Sequence, residues 1–532
     1  MTHPLDGDTT VIESKHGSHV LVLPPQTLRM AEYESGLRWH WPTLDLLMGL
    51  GLLTQEDIDL LSIGMKNRHP DPDIFFVTTL GFTETEVAEW TGDDFRRVLG
   101  QTARMKSGYV KPAEGPVDLR QAVCDRYVRR FGVEKLDIGQ VLYLAGGCSQ
   151  ALDVVIQNLF LTSGIVPTDT SYWPGIPGKI VRHGPTPVSM FRCHESFDDN
   201  RKYLAPLIDR DIAGVYVSFP GNPIGLRLTP ERLEVLTRTR LWLRDRCIEA
   251  NKPAPFWVSD GVYMDQPAET LSLLAGQDSG DVIEVYGLTK GRLQAGNRDS
   301  FLVVGNSAVL RTFVSAQARD GLSGNVPWHY PKALARAIRD ANGFLAHERE
   351  LDQAAGAAFE AEFVGVDGLS IDPAVDDQYR YVHVAIPEDR QATTEDWKRW
   401  HILEAAANKT RFVDWIPGPY FNHPLMLRAS GIRIHEVDGI RTIMAFPPDK
   451  MQRAARVIVR TWNEWQSEGF TKVPTWSDLV TLLKAGIMPR QILDDSRDGT
   501  ITATLERVKS GAASPDNGVG KQAPDEKMVG RV

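Results

Sequence analysis

Residues 286–305 read YGLTKGRLQAGNRDSFLVVG. The apolar run VIEVYGL ends at Leu288, Lys290 follows almost at once, Arg298 stands eight residues later, and a second apolar run, SFLVVG, takes over. A lysine at the end of a buried strand either snorkels to water or has its pKa depressed, and a deprotonated amine can form an imine with an aldehyde. The structural alternative is a snorkelling strand-end lysine, and this stretch alone does not separate the two.

Working outward, the segment from Gln140 to Asn306 alternates short apolar runs with longer helical ones. The runs are QVLYLAGG, GIVPTD, TPVSMF, AGVYVSF, APFWVSD, VIEVYGL and SFLVVG, each ending near Gly, Pro, Asp or Ser. Between two of them, Thr229 is placed to cap a helix with Pro230 at its first position, and Leu233, Leu236, Leu243 and Cys247 then share one face. This rhythm predicts an α/β domain with a mostly parallel sheet covered by helices. Downstream, PKALARAIRDANGFLAHERELDQAAGAAFEAEF reads as helix, and YRYVHVAI, GIRIHEV, RTIMAF and the helix DKMQRAARVIVRTWNEW predict a smaller α+β domain. The last residues, from 508, are poor in large apolar groups and read as a mobile tail.

Composition narrows the function classes. The 532 residues are 42% hydrophobic and 24% charged, ordinary for a globular chain, and the formal charge of −10 opposes a role in neutralising nucleic-acid phosphates. Cys124, Cys148, Cys193 and Cys247 are widely spaced, with no zinc-like pattern, so a reducing cytoplasm and no metal are expected. The N-terminus lacks a signal-peptide pattern, and LDLLMGLGLL is too short to cross a bilayer, so no membrane association is expected.

In an open α/β sheet, ligands collect beyond the carboxyl ends of the strands, so polar residues just after apolar runs are the candidates. LAGGCSQALDVV opens a helix after a strand, where amides near Cys148 and Ser149 are placed for an anion; a tight turn is the plain alternative. VYVSFPGNPIG places Asn222 after a strand, and FWVSDGVYMDQ places Asp260 and Tyr263 three apart after another. Singly, these read as a turn initiator and a loop anchor.

Taken in order, YVKPAEGPVDLRQAV, GGCSQAL, SYWPG, FPGNPIG, SDGVY, TKGRLQAGNR and GIRTIMAF resemble the fold type I pyridoxal-phosphate enzymes of the class I/II aminotransferase group. The resemblance runs from Tyr109 to Trp465 and implies a three-layer α/β/α large domain plus a smaller α+β domain. The implied division is an N-terminal extension (1–108), a large cofactor domain (109–325), a small domain (326–470), a C-terminal extension (471–507) and a flexible tail (508–532). The cofactor implied is pyridoxal 5'-phosphate.

The resemblance also implies roles. Lys290 would form the imine with the cofactor and afterwards shuttle a proton. Asp260 would keep the pyridine nitrogen protonated, making the ring an electron sink for a substrate carbanion. Asn222 and Tyr263 would hydrogen-bond the ring 3-oxygen. Arg298 would grip the phosphate, helped by Cys148, Ser149 and Thr289. Tyr172, or its neighbour Trp173, would stack on the ring. Tyr109 would reach the phosphate of a second subunit, implying a homodimer with shared sites. Arg441 would bind the substrate α-carboxylate; the alternative is an exposed arginine at a strand start. In three places the chain departs from the family pattern: Gly287 stands where a hydroxyl residue is usual, Ser300 where glycine is usual, and Ile224 replaces the more frequent threonine after Asn222-Pro223.

The implied activity is aminotransfer between an α-amino acid and a 2-oxo acid. The alternative is a related use of the same carbanion in specialised metabolism, eliminating the sulfonium group of S-adenosylmethionine from Cγ and joining or cyclising the product with a second substrate. A transcription regulator with a DNA-binding N-terminus is a third class. Residues 1–100 oppose it, with 16 acidic against 7 basic side chains.

Overall fold

The structure, a computed structural model, describes residues 11–13, 20–22, 50, 114–169, 172–173, 175–189, 195–222, 224–264, 269–288, 299–309, 334–336, 338–339, 350, 353–371, 379–408, 413, 415–417, 439–444 and 448–511. Near the N-terminus, β1 (Val11–Glu13) and β2 (Val20–Val22) pair antiparallel. The main sheet contains β3 (Val141–Ala145), β4 (Ile165–Thr168), β5 (Thr186–Ser189), β6 (Val215–Ser218), β7 (Trp257–Gly261), β8 (Val282–Tyr286) and β9 (Asp299–Val304). Their spatial order is β3-β9-β8-β7-β6-β4-β5. Only β9 runs against the rest, pairing antiparallel with both β3 and β8. All seven strands coincide with the apolar runs of the sequence.

These strands read as nearly unbroken apolar runs because both faces are covered, as parallel sheets require. On one face α1 (Val117–Arg130) and α5 (Pro230–Glu249) pack Leu119, Tyr127, Leu236 and Leu243 against Val215, Val217, Trp257 and Phe301. On the other, α2 (Gly147–Leu159) and α3 (Ile176–Arg182) pack Ala151, Val155 and Ile180 against Tyr216, Val258, Ile283 and Val285. The result is the three-layer α/β/α architecture. Helix α4 (Phe197–Leu204) lies beside α5, with Asn200 Nδ2 donating to Thr239 Oγ1. Thr229 caps α5 as its sequence implies, its side chain accepting from the amide of Arg232, with Pro230 opening the helix.

A polar exception is buried inside the first of these cores. Glu284 of β8 faces α1, where burial pushes its carboxyl above the ordinary range. It accepts from Ser259 Oγ at 3.1 Å and Ser272 Oγ at 2.6 Å, which ties the loop before β8 to the sheet. Buried polar groups survive only with such partners.

The second core is built on an antiparallel sheet of β10 (Leu369–Ile371), β11 (Tyr379–Val384), β12 (Ile416–Pro417) and β13 (Gly439–Ile443), in the order β10-β11-β13-β12. It is covered by α6 (Thr394–Asn408) and α7 (Pro448–Ser467). The run GIRIHEV, expected as a strand, lies outside the described residues. Trp397 centres a group of indoles, 4.7 Å from Trp415 and 5.1 Å from Trp462 between ring centroids. Residues 471–507 are helical in large part. Helices α8 (Trp476–Lys484) and α9 (Pro489–Arg497) bring Trp476, Leu479, Leu482, Ile492 and Leu493 into this same core, and α10 (Ile501–Lys509) packs Ile501, Leu505 and Val508 against it. Among the described residues no helix is long and apolar enough to cross a membrane.

His401 on α6 is buried against Trp415, and its Nε2 accepts from the amide of Val413 at 3.1 Å. Burial, then the Arg460 and Lys398 charges, push its pKa from 6.5 down to about 3. The unfolded chain therefore binds a proton that the folded chain refuses. The stabilising contribution is present above about pH 6.5 and is lost as pH falls toward about 3. His401→Gln, which keeps an acceptor but not the titration, should show a shallower acid loss of stability across that window, by a few kcal/mol in all, when denaturation midpoints are followed against pH.

Candidate active site

Because β3, β4, β6, β7 and β8 run parallel, their carboxyl ends meet along one edge of the sheet. Gly146 to Ser149 follow β3, Asp169 follows β4, Asn222 lies beyond β6, Asp260 is the penultimate residue of β7, and Gly287 follows β8. The reversed strand β9 begins at this edge, where Asp299 pairs with Ala145 and accepts from Tyr143 Oη at 2.9 Å. Four of the segments singled out in the sequence are thus brought together by strand direction alone.

Asp260 is buried, and its two oxygens are held differently. Oδ2 accepts from Tyr216 Oη at 2.9 Å, and Oδ1 accepts from the amide of Val262 at 3.3 Å. Tyr216 is wholly buried, and burial, then the charge of Asp260, holds its phenol well above the usual range, so it remains a donor. The sequence reading passed over Tyr216. The available signal was parity: Ser218 pairs with Asp260, so residue 216, two positions earlier, faces the same side as Asp260.

Across from this edge stands the small sheet. Arg441 of β13 is buried, and its Nη1 donates to Asn222 Oδ1. Since a guanidinium can only donate, the Asn222 atom facing it must be the oxygen, and the amide nitrogen is the side left to donate. Tyr381 of β11 is the direct cross-strand neighbour of Arg441 and packs against Ile224 and Leu226 just beyond Asn222. Ile224 therefore supplies an apolar contact to the small sheet where threonine is more usual. Tyr263, three residues after Asp260, is buried among the apolar residues of the small-sheet core.

At the other end of the edge, Gly146 and Gly147 have φ of 118° and 79°, which turns the chain from β3 directly into α2. Cys148 and Ser149 occupy the first turn, where amides point outward and the helix dipole favours an anion. Tyr172 is buried in the apolar layer with Cys148 and Tyr216, whereas Trp173 is 39% exposed and lies against Gly175, with Lys179 Nζ 6.0 Å from its ring. Ser300 is explained by the ladder: its Oγ donates to the carbonyl of Leu144 at 2.9 Å inside the sheet. Tyr109, Thr289, Lys290 and Arg298 lie outside the described residues. No group of His, Cys, Asp and Glu among the described residues is arranged to hold a metal ion.

Residues 101–360 match the family model described as aminotransferase class I and II. Among solved structures, the chain is similar to a tetra mutant of Thermus thermophilus aspartate aminotransferase, at 19% identity, over 72% of this chain and 94% of that one, with a TM-score of 0.55. It is similar to an aminotransferase from Staphylococcus aureus at 20% identity, over 70% and 90% of the two chains, TM-score 0.55. It is also similar to an alanine aminotransferase from Pyrococcus furiosus at 17% identity, over 70% and 88%, TM-score 0.56. No curated protein matches the chain. The shared fold is that of the fold type I aminotransferases.

The turn into α2 depends on glycine. Gly147→Ala forces an L side chain to φ near 79° and should cost about 1–2 kcal/mol, read as a lowered denaturation midpoint.

Proposed function

We propose that this chain, whose residues 101–360 match the family model of the class I and II aminotransferases and whose fold is that of the fold type I aminotransferases, is a pyridoxal-phosphate-dependent enzyme that transfers the amino group of an α-amino acid to a 2-oxo acid. The observation that carries the reading is the Arg441–Asn222 hydrogen bond, which sets an arginine of one sheet against the ligand edge of the other. An arginine held there has the planar fork that a carboxylate accepts in bidentate fashion.

The donor set suits the cofactor. Asp260 offers a buried carboxyl to the protonated ring nitrogen, and the Asn222 amide nitrogen, turned away from Arg441, offers a donor to the ring oxygen. Tyr263 is the second donor assigned to that oxygen. The first turn of α2, with Cys148 and Ser149, offers amides to the phosphate. By the resemblance, Arg298 and Thr289 would add to the phosphate set, and Lys290 would be the amine that holds the aldehyde and moves the proton at the substrate Cα. Pyridoxal phosphate supplies the electron sink for that deprotonation. Tyr172, with a buried ring, and Trp173, with an exposed one, are the two candidates to stack on the cofactor ring. Tyr109 would serve the site of a second subunit in a homodimer.

Purified holoenzyme should show a visible absorbance band that shifts to the pyridoxamine form with a donor amino acid and returns with a 2-oxo acid. Lys290→Ala should abolish both the covalently held band and turnover. A full set of common amino acids that leaves the band unmoved, while S-adenosylmethionine alone changes it, would overturn aminotransfer in favour of elimination chemistry. Arg441→Lys should raise KM for the amino acid about 10- to 100-fold with a smaller change in kcat, the equivalent of about 1.5–3 kcal/mol for a charged hydrogen bond.

A further inference from the structure

The seven-stranded sheet contains a tyrosine that the aminotransferase reading leaves without a task. Tyr216 sits in the middle of β6, an apolar strand, with no exposure. A phenylalanine would fill the same space among Val258, Ile283 and Val285 without a hydroxyl to satisfy. What the hydroxyl does instead is specific: it spans the diagonal from β6 to β7 and donates to Asp260 Oδ2 at 2.9 Å. The register makes this possible, since Tyr216 pairs with Val258 and Ser218 with Asp260, so the two side chains share a face two residues apart, within the reach of an aromatic side chain.

We propose that Tyr216 is a positioning residue that fixes the charge state of the Asp260–cofactor pair, by donating to the carboxylate and so keeping the shared proton on the ring nitrogen. The inference rests on Asp260 being the partner of that nitrogen. A buried acid and a pyridine have two arrangements of one proton: carboxylate with pyridinium, or carboxylic acid with neutral pyridine. Low polarity favours the neutral pair, because it avoids burying two charges. A donor fixed on the carboxylate stabilises only the charged form. The Val262 amide supplies one such donor, at 3.3 Å to Oδ1, and the phenol supplies the shorter one. Because burial and the adjacent charge raise the phenol's own pKa, Tyr216 gives up no proton and acts as a fixed dipole.

The test is the nitrogen-15 resonance of holoenzyme loaded with pyridoxal phosphate labelled at the ring nitrogen. Tyr216→Phe should move the resonance from the protonated toward the unprotonated position. With 4-aminophenylalanine introduced at Tyr216, which keeps a weaker donor of the same shape, the resonance should fall between the two. The intermediate variant carries the test if the phenylalanine variant does not fold. Resonances unchanged from wild type in the folded variants would overturn the proposal. Asp260→Asn separates the two layers of the argument. A shift there without one at Tyr216 leaves Asp260 as the nitrogen partner and removes Tyr216 from the account. No shift in Asp260→Asn overturns the role of Asp260 and the proposal with it.

Discussion

A carboxyl group buried at the end of an interior strand is the constraint around which this molecule is arranged. Asp260 lies near the end of β7, inside a sheet covered on both faces, where an unpartnered acid would cost several kcal/mol. Its partners come from the neighbouring strand and from its own turn: the phenol of Tyr216 and the amide of Val262. Together they hold the carboxyl in one orientation.

Strand direction extends the same economy to the rest of the site. With all strands of the main sheet but β9 parallel, the start of α2 with Cys148, the loop with Asn222 and the end of β7 with Asp260 gather on one edge, and β9 starts from that edge. The small sheet then closes over it through two contacts of different character, the Arg441–Asn222 hydrogen bond and the packing of Tyr381 on Ile224 and Leu226. One sets polar geometry, and the other excludes water from around it. The indole-rich core beneath, extended by α8, α9 and α10, gives that small sheet a rigid backing.

Much of this was legible in the residues. The seven apolar runs ended where the strands end, Thr229-Pro230 opened a helix, and Asn222 and Asp260 stood at strand termini, whereas Arg441, read as a strand start, lies buried in the middle of β13. The short strands β10 and β12 and the helices α8 to α10 were not anticipated, because their apolar residues become a pattern only when the indole cluster supplies the surface they cover. The departures from the family pattern were visible as letters, but their meaning was not. Ser300 proves to serve the β3–β9 ladder, and Ile224 the contact between sheets.

Local chemistry and periodicity determine which residues are strand, helix and turn, and they place the polar residues of the site at the ends of strands. Backbone sterics and burial act over a few neighbours, so a linear reading captures them. Partnership is different. That Tyr216 reaches Asp260, 44 positions away, and that Arg441 reaches Asn222, 219 positions away, depends on strand order, register and the packing of two sheets. Those are properties of the folded whole, because a hydrogen bond is decided by ångströms in space and not by separation along the chain.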